Sequence, residues 1–271
     1  MEISIIIPTY KPQHYIWDCL QSLAHQSFDR NSFEIIIILN GCHEPYFSQI
    51  SAYIQEKMPN HFVKLIQTNE GGVSNARNIG LNIMKGKYVT FIDDDDLVSE
   101  TFLEELHQQA SPNVISLCYP YAFDDGKIEI QKTYRKTILF EKYANHKLLR
   151  YEKCRQFFSG PCMKLIPASF IGDRRFNVNF KNGEDSLFMF LISDKFQYVN
   201  LTSKNAIYYR RLRNNSAQFA KRRPREIINN QFRMLLEYFK IYFDNFKNYR
   251  LLFFVTRILG TFKATLYSIF K

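Results

Sequence analysis

The sequence predicts an α/β fold, a Rossmann-like and mostly parallel sheet with helices on both faces. Three observations carry that prediction. Apolar, β-branched runs of strand length alternate with helix-period segments through the first 120 residues. Two of the runs, Ile3–Pro8 and Phe33–Leu39, are apolar almost throughout, which suits strands covered on both faces. Polar segments follow the runs, at the carboxyl ends of strands where open α/β sheets bind ligands.

Ile3–Pro8 reads as the first strand, and Tyr15–Leu23, with helical spacing, as the first helix. Phe33–Leu39 is the second strand and Tyr46–Met58 the second helix. Phe62–Gln67, Val73–Met84 and Lys87–Ile92 continue as strand, helix and strand. The loops to inspect are therefore Thr9-Tyr10, Asn40-Gly41, Asn69 to Gly72 and Asp93 to Asp96. Past residue 121 the pattern becomes mixed α+β. Asp124-Asp125-Gly126 is a turn signal that predicts a hairpin between Tyr119–Phe123 and Lys127–Tyr134. Strand-like runs return at Phe196–Leu201 and Ala206–Leu212, with a helix starting near Glu184. Beyond Pro224 helical spacing takes over, through Phe232 and Phe239 and then through Leu251, Val255, Ile258, Phe262, Leu266 and Ile269. The chain thus divides into residues 1–120, 121–220 and a helical tail, 221–271.

The 271 residues are 46% hydrophobic and carry a net charge of +10, which favours anionic partners over mere solubility because the basic residues are clustered. Five cysteines without a CxxC pair argue against a disulfide framework or a zinc site, and for reduced thiols in the cytoplasm. The N-terminus lacks a basic region before its apolar run and reads as a strand, not a signal peptide. No uncharged apolar run approaches about 18 residues, so no spanning helix is expected.

Phe91-Ile92 leads into four consecutive carboxylates, Asp93, Asp94, Asp95 and Asp96. Adjacent like charges at a strand end are costly unless a cation offsets them. Hard divalent ions, Mn²⁺ or Mg²⁺, take oxygen ligands and bridge carboxylates to phosphates. On an extended segment Asp93 and Asp95 point one way and Asp94 and Asp96 the other, so one ion takes one alternating pair. A solvated acidic turn is the alternative, and the position after a buried strand favours the cation.

With these residues in place, the chain resembles glycosyltransferase family 2, whose members have the GT-A fold. Ser4 to Tyr10 is similar to the family's first strand and donor loop. Asn69-x-Gly71 followed by Ala76-Arg77-Asn78-x-Gly80 resembles the family's N-x-G-x-x-x-A-R-N-x-G stretch. Phe91 to Asp96 resembles its F-L-D-x-D-D metal motif, and Gly183-Glu184-Asp185 its G-E-D motif. The likeness covers roughly residues 1 to 216 and leaves out the tail. It implies an inverting transfer of a hexose-type sugar from a nucleotide donor, a UDP-sugar foremost, to a hydroxyl of a glycan or lipid-linked glycan of a bacterial surface polysaccharide. Pro8, Thr9, Tyr10, Asn40, Asn69, Gly71, Arg77, Asp93 and Asp94 would then bind the donor, helped by Arg211 and Arg213. Asp95 is the first choice of metal ligand, with Asp93 and Asp96 beside it. Asp185 would be the catalytic base, and Glu184 would position it or the acceptor. Helix capping alone also accounts for Glu184-Asp185, since acidic residues suit a first turn. Many members carry Asp-Asp-Gly-Ser after the second strand. Here Leu39-Asn40-Gly41-Cys42 stands there, and the choice of uracil is left open.

At 100° per residue, residues 247–271 place Leu251, Val255, Ile258, Phe262, Leu266 and Ile269 on one face, with Arg250, Arg257 and Lys271 opposite. Such a helix lies on an anionic membrane surface, or packs on the enzyme or in a homodimer. Lys221-Arg222-Arg223 adds a basic cluster. Three other functions compete. A sugar nucleotidyltransferase would need a glycine-bearing loop where Pro8 to Pro12 has none. A nucleic-acid-binding protein would meet repulsion from the four aspartates, so no nucleic acid is expected. An inactive relative would not need Asp93, Asp95 and Asp185 together.

Overall fold

The computed structural model describes residues 1–213 and 223–269. Asn214, Asn215, Ser216, Lys221, Arg222 and Lys271, and the side chains of Leu266 and Ile269, lie outside the described residues. The first half follows the expected alternation. Strands β1 (Ile3–Thr9), β2 (Phe33–Asn40), β3 (Phe62–Thr68) and β4 (Tyr88–Phe91) alternate with helices α1 (Tyr15–Ala24), α2 (Tyr46–Lys57) and α3 (Val73–Ile83). All residues of β1 and β2 are buried, as non-alternating runs require of central parallel strands. The side chains of β2 show both faces covered. Ile35, Ile37 and Leu39 join the main core with Ile16 and Leu20 of α1, while Ile36 and Ile38 pack on Ala76 of α3.

Two short strands, β5 (Leu97–Val98) and β6 (Val114–Leu117), flank helix α4 (Phe102–Gln108). Then come β7 (Tyr119–Asp124), α5 (Arg135–Tyr143), β8 (Leu149–Arg150), a 3-10 stretch over Tyr151–Ser159, β9 (Lys164–Pro167) and α6 (Ala168–Ile171). Helix α7 (Glu184–Leu191), β10 (Tyr198–Leu201), β11 (Ile207–Leu212), α8 (Pro224–Asp244) and α9 (Leu251–Ile269) complete the chain. Eight strands form one sheet in the order β3-β2-β1-β4-β9-β6-β10-β8, so both sides of residue 120 share it. The pairs β1–β2, β2–β3, β1–β4 and β6–β10 are parallel, and β9 runs antiparallel between β4 and β6. A smaller sheet, β5-β11-β7, lies beside it.

Two expectations change. Lys127–Tyr134 is not a strand: Ala122 and Lys132 exchange one pair of backbone bonds, and the chain then turns into α5. The Thr137 hydroxyl at the start of α5 donates to the Pro120 carbonyl at 2.6 Å and also accepts the Tyr134 N–H, which draws the segment into the helix. One edge of β7 pairs with β11, in parallel, and the other meets the Lys127–Tyr134 segment only at the Ala122–Lys132 bridge. The tail is the second case. Arg257 is not on a solvated polar face; its guanidinium is buried, donates to the Phe158 carbonyl and stacks 4.4 Å from the Phe253 ring centroid. Helix α9 buries Phe253, Phe254 and Thr261 alongside it and turns its aliphatic side outward.

Candidate active site

The loops after β1, β2, β3 and β4 are tied to one another by their own polar groups. The Asn40 amide donates to the Thr9 carbonyl at 2.7 Å and accepts the Gly72 N–H at 2.8 Å. The Gly41 N–H reaches the Thr68 carbonyl at 2.9 Å. Gly41 has φ +65°, and a Cβ there would lie 2.9 Å from the Gly71 Cα, so the loop after β2 requires glycine at this position. Tyr10 stands beside this glycine floor, 54% exposed, with the Lys11 ammonium 5.4 Å from its ring centroid. Asn40 thus braces these loops, and its carboxamide oxygen is already committed. Asn69 is exposed at the end of β3, and Gly72 opens α3.

The four aspartates do not alternate as an extended segment would. The Asp96 N–H bonds the Asp93 carbonyl at 3.0 Å, and the resulting turn brings carboxylate oxygens of Asp93, Asp95 and Asp96 within 4.8 Å of one another. Asp94 turns aside and accepts the Thr9 hydroxyl. Burial, then the neighbouring Asp93 charge, raises the Asp95 carboxyl; burial and the Asp95 and Asp93 charges hold Asp96 well above the carboxylate range. Three crowded oxygens whose anionic forms are mutually disfavoured fit a hard divalent cation. Arg213 supplies positive charge there: its guanidinium donates to Asp95, through Nε at 2.7 Å, and lies 4.4 Å from the Tyr15 ring centroid.

Arg77 is engaged within the protein itself. It is buried, and its two terminal nitrogens bond Asp185 and, at 3.0 Å, Asp93. One guanidinium therefore sets the expected base beside the acidic turn. Its plane rests 5.3 Å from the Phe176 ring centroid. Asn78 fixes that ring's backbone in return, donating to the Phe176 carbonyl at 2.9 Å and accepting the Phe176 N–H at 2.8 Å. Asp185 lies in the first turn of α7, and its side chain keeps 30% of its surface exposed. Burial raises its carboxyl against the pull of Arg77; burial and the Asp185 charge push Glu184 up to about 7.

Arg211 is committed elsewhere. It bonds Asp125 at 2.6 Å, Asp18 at 2.7 Å and the Asp95 carbonyl at 2.8 Å, which pins β11 beneath the acidic turn. The sequence reading did not single out Tyr208. Fully buried, its hydroxyl accepts the Asp93 N–H at 3.3 Å and bonds Asp96. Its run of residues shows only strand propensity, and no local pattern ties it to a turn more than a hundred residues earlier.

The sequence model of Glycosyl transferase family 2 matches residues 4–174. The chain belongs to that family. Family membership selects glycosyl transfer over nucleotidyl transfer and nucleic-acid binding. Among its relatives, glycosyltransferase GlyG of Streptococcus pneumoniae is 28% identical over 220 residues, 77% of this chain and 70% of that protein. The minor teichoic acid biosynthesis protein GgaB of Bacillus subtilis is 28% identical over 213 residues, 77% of this chain but 23% of that protein. The crystal structure of Staphylococcus aureus TarS 1-349 in complex with UDP-GlcNAc aligns with a TM-score of 0.68 at 22% identity, covering 88% of this chain and 66% of that one. The two share the GT-A fold. The chain thus spans under a quarter of GgaB and about two thirds of the TarS fragment.

Proposed function

We propose that this family 2 enzyme transfers a sugar from a UDP-sugar to a hydroxyl of a glycan or lipid-linked glycan in bacterial surface polysaccharide synthesis, with inversion at the anomeric carbon. The observation that carries the reading is the Arg77 guanidinium shared by Asp93 and Asp185, which sets a base beside a carboxylate triad. TarS is described as a poly(ribitol-phosphate) β-N-acetylglucosaminyltransferase and was crystallised with UDP-GlcNAc, which supports a uridine donor and a cell-surface acceptor. In this division of labour residues 1–120 hold the donor, residues 121–220 the acceptor.

Tyr10 stacks on the base above the Gly41–Gly71 floor, and the N-terminus of α3 faces the diphosphate with free N–H groups. Asp93, Asp95 and Asp96 would hold Mn²⁺ or Mg²⁺, whose chemistry there would be to offset negative charge on the departing diphosphate. A mannosyltransferase of the same fold, from Pyrobaculum calidifontis, was solved with Mn²⁺ and GDP-Man, in keeping with such an ion. Asp185 takes the proton from the acceptor hydroxyl as that oxygen attacks the anomeric carbon. Arg77 keeps the Asp185 carboxylate aimed and opposes the upward pull of burial on its pKa.

UDP, GDP and dTDP release from a panel of nucleotide sugars, with and without Mn²⁺, tests this. Metal-dependent release from a UDP-sugar, lost in both Asp95→Asn and Asp185→Asn, is expected. Release that survives Asp95→Asn and chelation would reject the triad as the metal site.

A further inference from the structure

The C-terminal helices leave bare the side that a folded surface normally hides. On α8, Ile228, Phe232, Leu236, Phe239 and Phe243 recur at helical spacing and are each 42–63% exposed. On α9, which packs against α8, Leu251, Leu252, Val255, Leu259 and Phe262 are 40–62% exposed. The two stripes belong to one helical hairpin, and a patch of that size on a soluble surface marks an interaction site. Charge is sorted around it. On a 100° wheel Arg233 and Lys240 fall at the border of the α8 stripe, and Lys263 borders that of α9, all exposed. Of the three carboxylates of α8, Glu237 and Asp244 lie beyond the basic border, Glu226 shares a groove with Ile228 and Phe232, and α9 has none.

We propose that the α8–α9 hairpin is a monotopic anchor that lies flat on an anionic lipid bilayer, apolar stripes in the acyl boundary and basic border among the headgroups. No helix among the described residues is long and apolar enough to cross a membrane, so the hairpin rests on the bilayer without spanning it. The border chooses lipid over a second copy. A two-fold pairing of the stripes would bring Arg233, Lys240 and Lys263 near their own copies, whereas anionic headgroups complement all three at once. The hairpin is also joined to the catalytic helix. The Tyr238 and Ser186 hydroxyls bond at 2.8 Å, and the Asn230 amide donates to the Asn182 carbonyl at 3.1 Å. A Cβ on Gly183 would lie 2.2 Å from Met234 Sδ, so α8 touches the turn that launches Asp185. On the reading given above, docking holds the base at the lipid surface, where a lipid-linked acceptor arrives.

Flotation of the full-length protein with vesicles tests the anchor. Phosphatidylglycerol–phosphatidylethanolamine vesicles should carry most of the protein upward at moderate salt, and phosphatidylcholine vesicles at least ten-fold less. The triple variant Phe232→Ser, Leu259→Ser, Phe262→Ser should lose flotation. Lys240→Glu with Lys263→Glu should reduce it about ten-fold on the anionic vesicles and not on phosphatidylcholine. UDP binding, measured alongside, should stay unchanged in both variants, which separates a failed anchor from a failed donor site. Flotation indifferent to lipid charge or to the triple variant overturns the proposal. So does light scattering that shows a stable dimer, broken by the triple variant, with no flotation.

Discussion

Arg77 shows how much one side chain organises. Because its guanidinium is buried between Asp93 and Asp185, removing it leaves two crowded carboxylates without their counter-charge. Arg77→Ala should cost about 3 kcal/mol in urea unfolding. Arg77→Lys keeps the charge but cannot span both carboxylates, and should lower kcat about a hundred-fold or more with little change in donor KM. A loss confined to KM would return Arg77 to donor binding. Asp94 makes a pH prediction. Burial, with the Asp95 and Asp93 charges adding and the Thr9 hydroxyl opposing, pushes its carboxyl up to about 7 from the ordinary 3.8. Between those values the folded protein binds the extra proton, so Asp94 destabilises the fold progressively as pH rises through the window and by a constant amount above it. In chelator-treated protein, Asp94→Asn should gain stability over the parent from pH 4 upward, reaching about 2 kcal/mol by pH 8 after allowance for solvent contact. A pH-independent difference would refute the assignment. These residues were visible in the sequence because their motifs are contiguous. What each touches was not: Arg77 meets Asp185 across 108 positions, and nothing local to either announces it.

At the level of elements, the strands and helices of the first half were legible because β1 and β2 are buried on both faces and run unbroken apolar over residues 5–8 and 35–39, their polar residues lying toward the ends. The false strand at Lys127–Tyr134 alternates as a strand should. Yet Ile128 and Ile130 end exposed, since the segment meets β7 at the single Ala122–Lys132 bridge and Thr137 pulls it into α5. Strands β6 and β9, of four residues each, are too short to leave a period. The join between α7 and α8 carries its own prediction. Gly183 has φ +84° and faces Met234. Gly183→Ala should cost about 2 kcal/mol, part from the left-handed backbone and part from the clash. Met234→Ala in the same chain should recover the steric part alone, and thermal melts of the single and double variants will resolve the two. Full recovery would mean the backbone conformation is unimportant.

For the molecule as a whole, the eight-stranded sheet makes the two halves interdependent. Strand β9 completes the sheet only by sitting antiparallel between β4 and β6, each made earlier in the chain. Residues 1–120 alone should therefore lack a cooperative urea transition, while residues 1–213 should retain one; a cooperative fragment 1–120 would contradict this. The same wedge has a consequence for biosynthesis. As the polypeptide leaves the ribosome, β4 and β6 emerge with open hydrogen-bonding edges that stay open until residue 167 is translated. During that interval two nascent copies on one messenger can stitch edge to edge. Slow codons placed across residues 118–163 should accordingly lower the yield of soluble enzyme without changing a single amino acid, whereas slow codons after residue 170 should not.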